Sequence, residues 1–205
     1  MKKKLNTPNT LSILRVILTP LFMLAAILTR DQHVLLRIIP ALLFGLAAIT
    51  DFLDGKIARS QNIVTDFGKF IDPLADKFMI FGACITFLVI DPHTASVFLW
   101  ISALVMLREL AVTSMRLVVA NTSGIVIAAS FFGKCKTVTQ IVAVVIMFLE
   151  PVFGYFAALL GIDFLIWTFS HSVLSYIAMS LMGIVTLASG IDYLRAYFPY
   201  INTDK

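Results

Sequence analysis

The chain has 205 residues, 60% of them hydrophobic and only 14% charged, with a mean hydropathy of +0.95. Soluble domains run nearer half apolar and a quarter charged, so this balance argues against a water-soluble enzyme and for a protein of the bilayer. The +4 net charge calls for no nucleic-acid partner if the excess lies beside anionic headgroups, and Cys84 and Cys135 suggest packing residues or free thiols rather than a disulfide framework.

The chain opens on Met1-Lys-Lys-Lys, which has the charge of a signal peptide. The apolar run from Leu11 to Leu28 is long, however, carries Arg15 and Pro20, and gives way to Thr29-Arg30-Asp31. A retained first helix is expected there. A span needs about 20 mostly apolar residues. Six stretches come close, near 11–29, 34–50, 77–92, 95–115, 137–153 and 171–194. Pro151, Gly154, Gly161 and Asp163 interrupt the apolar sequence between 151 and 170. That segment is expected to be an outer loop with a short interfacial helix, a seventh span being the competing reading.

With six spans and a cytosolic N-terminus, Arg30 and Arg37 fall outside and the other fourteen of the sixteen Lys and Arg lie inside. The positive-inside rule selects that arrangement and an even number of spans. The expectation is an all-α polytopic membrane protein, a single membrane domain over residues 1–205, with six transmembrane helices and both termini cytosolic.

Between the second and third spans, Thr50 to Lys77 reads TDFLDGKIARSQNIVTDFGKFIDPLADK and holds five of the twelve acidic residues. Asp51 and Asp54 are three apart, and Asp72 and Asp76 are four apart. On helices each spacing puts both carboxylates on one face, joined here by a loop containing Asn62 and Asp66. One Asp at a helix centre in the bilayer costs about 2.5–3.5 kcal/mol. The four together would cost roughly 10–14 kcal/mol on that scale, comparable with a domain's whole stability. They must therefore lie near the interface, line a wet cavity or be neutralised. A solvated face is one reading. A site for two hard divalent cations is the other, and it gives the repeated like charges a use: such a pair, about 3.5–4 Å apart, clamps the attacking and leaving oxygens of a displacement at phosphorus.

Small residues crowd the same stretch. Gly55 follows Asp54, Ala58 is one turn on, and Gly68 is four before Asp72. Glycine within a helix costs roughly 1 kcal/mol against alanine, so it marks close approach by a neighbouring helix or a ligand. Beside the carboxylates and Arg59, a flat nucleotide is a suitable ligand. Pro73 is expected at the first turn of the third span, where a missing N–H is tolerated.

Asp51, Asp54, Gly55, Ala58, Arg59, Gly68, Asp72 and Asp76 resemble the CDP-alcohol phosphotransferase signature, D-x-x-D-G-x-x-A-R, eight residues, then G-x-x-x-D-x-x-x-D. No position departs from it over 51–76. The resemblance extends to NTPNTLSILRVILTP at 6–20, FIDPLADK at 70–77, RELAVTSMR at 108–116 and GKCKT at 133–137, which are similar to the bacterial phosphatidylglycerophosphate synthase branch of that family. It implies six transmembrane helices in a bacterial inner membrane with the active site facing the cytoplasm, a homodimer, and dependence on Mg²⁺ or Mn²⁺. It also implies transfer of the phosphatidyl group from CDP-diacylglycerol to sn-glycerol 3-phosphate with release of CMP. By the same resemblance Asp51, Asp54, Asp72 and Asp76 hold two metal ions and Asp76 is also the general base. Asp54, Gly55, Ala58, Arg59 and Gly68 accept the CDP moiety. Asn9, Thr10 and Arg15 close the nucleotide side.

The acceptor rests on Arg108, Arg116, Lys134 and Lys136. A phosphorylated acceptor needs cations beyond those committed to the aspartates, and these four lie near the inner ends of the fourth and fifth spans. Positive-inside anchoring would also explain them. For Arg108, beside Glu109 inside an apolar run, that explanation is weaker. Phosphatidylglycerol, inositol phosphate or serine as acceptor remain alternatives, as does a divalent-cation transporter, which would put its carboxylates near mid-bilayer. His33 and His93 fall in outer turns and His171 begins the last span, none with a plausible ligand partner, and Trp100 and Trp167 suit interfacial belts.

Overall fold

The computed structural model describes residues 7–61, 66–123 and 131–200, and side-chain surroundings for 9–53, 67–68, 70–120 and 131–200. Among the described residues the secondary structure is entirely helical. The long helices are α1 (Thr7–Thr29), α2 (Ile38–Gln61, preceded by a 3-10 turn at Val34–Arg37), α3 (Asp66–Ile90), α4 (Ala95–Ser123), α5 (Phe131–Leu160) and α7 (Val173–Tyr197). Each contains a segment long and apolar enough to cross a membrane. Helix α6 (Asp163–Ser170) has only 8 residues, too few to span.

Backbone groups in lipid must be satisfied within the chain, which is why the spans are helices. The threonines obey the same rule. Thr19, Thr86, Thr113 and Thr139 each donate to the carbonyl four residues back, at 3.0, 2.7, 2.8 and 2.8 Å. Outward-facing Leu42, Leu107, Leu117 and Ile184 stay exposed as a lipid-facing surface. Inside, Phe22 meets Phe44 edge-on at 5.4 Å between ring centroids and Phe87 meets Phe148 at 4.4 Å, tying α1, α2, α3 and α5 together.

Helix α1 packs against α2 and α3, α5 against α2, α6 and α7, and α4 against α3 and α7. Gly82 on α3 permits the α1 contact: a Cβ there would stand 2.9 Å from Thr19 Cγ2 and 3.0 Å from Met23 Sδ.

Two expectations change. Helix α5 does not stop near 153 but runs through Pro151 to Leu160. Its end is a Schellman turn: the Ile162 N–H donates to the Ala157 carbonyl and the Gly161 N–H to Ala158, with Gly161 at φ +66°. Only 163–170 forms the expected short helix, and Gly154 lets it approach, since a Cβ there would lie 3.1 Å from Phe169 Cβ. Pro73 is not in a first turn either, because α3 already begins at Asp66.

Buried Glu150 explains the seam between α5 and α7. Its carboxylate accepts the Leu174 and Ser175 backbone N–H groups at 2.9 and 2.7 Å and the Ser175 hydroxyl. It therefore caps the start of α7, where a negative charge is favoured by the helix dipole. Asn62, in the expected loop between the second and third spans, lies outside the described residues.

Candidate active site

Up-and-down threading gathers the N-terminal parts of α1, α3 and α5 with the C-terminal parts of α2, α4 and α7 at one end of the bundle. A cavity of about 660 Å³ opens there. One wall carries Asp51 from α2 with Asp72 and Asp76 from α3. The other carries Arg108 and Arg116 from α4 with Lys134 and Lys136 from α5. Residues separated by up to 85 positions thus face one space. The carboxylates belong to the ends of their spans, near Leu53 and Phe70, rather than to mid-bilayer.

Of the four aspartates, the Asp54 side chain lies outside the described residues, as do the surroundings of Gly55 and the side chains of Ala58 and Arg59, although α2 runs through all four positions. Gly68 is buried near the start of α3. The described carboxylates have partners on α1 that the spacing of the motif does not reveal. Buried Arg15 pairs through Nη1 with Asp51 Oδ1 at 3.0 Å and with Asp76 Oδ1, and the Ser12 hydroxyl donates to Asp72 Oδ1. Helix α1 thereby reaches the acidic wall directly. Asn9 is buried near the same end of α1 and Thr10 is exposed.

Among the described residues, no three Asp, Glu, His or Cys side chains converge into a ready metal cage. The donor set nevertheless suits a hard divalent cation. Two of the three carboxylates share one guanidinium and the third takes a hydroxyl, leaving negative charge in excess, and their oxygens match Mg²⁺ or Mn²⁺ rather than a softer ion.

The cationic wall is less free than its sequence implies. Glu109 accepts Arg108 Nη1 at 3.1 Å and is also ion-paired with buried Lys136. Arg108 Nη2 further donates to Ser189 Oγ on α7 at 2.6 Å. Arg116 donates to the Tyr193 hydroxyl at 3.3 Å, and both arginines lie over the Tyr193 ring, at 5.1 and 5.5 Å from its centroid. Four cations against one carboxylate still leave a positive surplus, enough to attract a phosphate dianion. Lys134 is exposed at the cavity.

Sequence reasoning passed over Ser12, Tyr193, Thr113 and Gln140, all at or beside the cavity. A helical-face projection could have flagged Gln140, four residues after Lys136, and Thr113, four after Glu109. Ser12 and Tyr193 carry no such signal, because their neighbours come from distant helices. The histidines behave as ordinary turn residues. His33 Nδ1 accepts the Leu35 N–H at 3.3 Å, and the His93 N–H donates to Asp91 at 3.2 Å.

Comparison with known proteins identifies the family. A family model described as CDP-alcohol phosphatidyltransferase matches residues 5–182. A Bacillus subtilis protein named CDP-diacylglycerol–glycerol-3-phosphate 3-phosphatidyltransferase is 40% identical over 148 residues, covering 68% of this chain and 74% of its own. A protein of the same name from Pseudomonas fluorescens is 33% identical, covering 98% and 94%. A probable phosphatidylglycerophosphate synthase from Mycobacterium tuberculosis is 33% identical, covering 92% and 80%.

Proposed function

The chain belongs to the CDP-alcohol phosphatidyltransferase family, and from that premise we propose that it transfers the phosphatidyl group of CDP-diacylglycerol to sn-glycerol 3-phosphate. The observation that carries this reading is a cavity that gathers carboxylates on one side and cations on the other. Phosphoryl transfer needs an electrophilic phosphorus held beside an incoming hydroxyl, and catalysis is mainly alignment and charge stabilisation. The cationic wall suits the phosphate of the acceptor, and the acidic wall suits the reacting end of the donor. The relatives' names describe the same reaction for those proteins.

In this reading Arg108, Arg116, Lys134 and Lys136 bind the acceptor phosphate. Tyr193 and Glu109 position them: the ring supports both arginines, and the Glu109 carboxylate holds Arg108 and Lys136 side by side. The acceptor's free primary hydroxyl then points across the cavity towards Asp76. Asp76 takes its proton as the oxygen bonds to the phosphatidyl phosphorus. The bond from that phosphorus to the CMP oxygen breaks, and CMP leaves with the electron pair. An ionised aspartate has an ordinary pKa near 4, so it is a weak base for an alcohol and alignment must supply much of the acceleration.

Asp51, Asp54, Asp72 and Asp76 would hold two divalent ions, Mg²⁺ or Mn²⁺, which when bound supply positive charge to the pyrophosphate and lower the cost of charge build-up on its oxygens. Asp54, Gly55, Ala58, Arg59 and Gly68 would take the CDP moiety, the small residues leaving room for the nucleotide against the helix. Both termini and the cavity face the cytosol of a bacterial inner membrane in this reading, which the distribution of Lys and Arg supports. A homodimer is part of the same proposal.

The test is an acceptor panel. Purified protein with CDP-diacylglycerol and Mg²⁺ should release CMP when given glycerol 3-phosphate. Release with inositol phosphate, phosphatidylglycerol or serine but none with glycerol 3-phosphate would reject the acceptor assignment while keeping the chemistry. No CMP with any alcohol, together with divalent-cation flux into vesicles, would favour a transporter.

A further inference from the structure

Gln140 is only 1% exposed and lines the site cavity on α5. Neither its Oε1 nor its Nε2 has a hydrogen-bonding partner among the described residues. The position lies within a segment long and apolar enough to cross a membrane, and burying an amide without a partner is costly. It is also the last residue that α5 contributes to the cavity lining. A leucine would fill the same space at no such cost. The amide therefore has a use only when something polar enters.

We infer that Gln140 binds the glycerol portion of the acceptor, through the secondary hydroxyl that is not the nucleophile. This rests on the reading of the acceptor as glycerol 3-phosphate. A carboxamide offers both donors and an acceptor, so it can satisfy a hydroxyl fully while adding no charge between the two charged walls. A cation here would compete for the phosphate, and a carboxylate would compete for the divalent ions. Spacing fits as well. Lys136 and Gln140 are four residues apart on one face of α5, a little over one turn or about 6 Å along the axis. That places a phosphate-binding group and a hydroxyl-binding group on one face, close enough to reach the phosphate and the neighbouring middle hydroxyl of one small acceptor.

A site built to hydrogen-bond a substrate hydroxyl should reject the analogue that lacks it, because its buried polar group is then left unpaired. CMP release by the full-length protein would be compared for glycerol 3-phosphate and 3-hydroxypropyl phosphate, which keeps the phosphate and the primary hydroxyl and lacks only the middle one. The wild type should prefer glycerol 3-phosphate in kcat/KM by about 10- to 100-fold. Gln140→Leu should shrink that preference to within about threefold, with the loss falling on the KM for glycerol 3-phosphate. Gln140→Met keeps the chain length and supplies the same comparison if the leucine variant does not accumulate. A preference unchanged in the variant, or absent from the wild type, overturns the inference alone. Failure of the wild type to use glycerol 3-phosphate, when another alcohol supports CMP release, overturns the acceptor assignment and this inference with it.

Discussion

Arg15 on α1 is ion-paired with Asp76 on α3, and the same guanidinium lies 3.0 Å from Asp51 on α2. One buried cation therefore joins three helices at the acidic wall. Its single positive charge leaves the described carboxylates in excess.

Replacing Arg15 by methionine should raise the protein's dependence on divalent ions. The apolar side chain removes a counter-charge, so repulsion among Asp51, Asp72 and Asp76 increases and each bound ion relieves more of it. Thermal unfolding in detergent, with a chelator and then with Mg²⁺ or Mn²⁺, checks this. The variant should melt below the wild type in chelator and gain more from added ion. Equal gains in the two proteins would show that Arg15 does not share the ions' electrostatic role.

Asp76→Asn should lower CMP release by about 100- to 10,000-fold, the range expected when a positioned general base is removed. The fold should survive, because the Asp76 side chain is 51% exposed and lines the cavity rather than the apolar core. Single-turnover rates and melting curves on the same preparation separate the two effects. Activity near the wild-type level would exclude Asp76 as the base.

Glu109→Gln should destabilise the protein more than its conservative shape suggests. Lys136 and Arg108 both rely on that carboxylate, and removing one partner of a buried pair leaves an uncompensated charge at roughly 3–5 kcal/mol. Adding Lys136→Met should recover part of the stability while leaving acceptor binding impaired. Melting temperatures for the two single variants and the double variant complete the cycle. Simple additivity would mean that the pair is not coupled.

Gly82→Val should cost about 1–3 kcal/mol by overpacking, since the α1 side chains Thr19 and Met23 already occupy the space of its missing Cβ. Displacing α1 also moves Ser12 and Arg15, which sit on that helix, so CMP release should fall together with the melting temperature. Unchanged activity at a reduced melting temperature would show that α1 does not hold the acidic wall in place.

Much of the site was legible because its first half is local. Asp51 and Asp54 share one helix and Asp72 and Asp76 another, so three- and four-residue spacings put each pair on one face before any tertiary contact forms. Hydropathy was equally direct, because a segment that must cross lipid cannot hide its composition. The boundaries at 151–170 were less legible. Proline and glycine mark possible breaks, but whether Pro151 ends a helix depends on what packs around it. Here Glu150 turns aside to cap α7 while α5 continues to Leu160.

By itself, the sequence determined that this chain is a helical membrane protein of one enzyme family, with an acidic motif on two successive helices and a separate set of cations. Only the tertiary structure decided which charges meet. It joined Arg15 and Ser12 to the aspartates, tied Arg108 and Lys136 to one glutamate, set both arginines on Tyr193, and left the amide of Gln140 without a partner among the described residues. The physical reason is range. Helical periodicity acts over one or two turns, whereas a charge or an amide is satisfied by whichever helix packing brings to it, and that neighbour can lie anywhere in the chain.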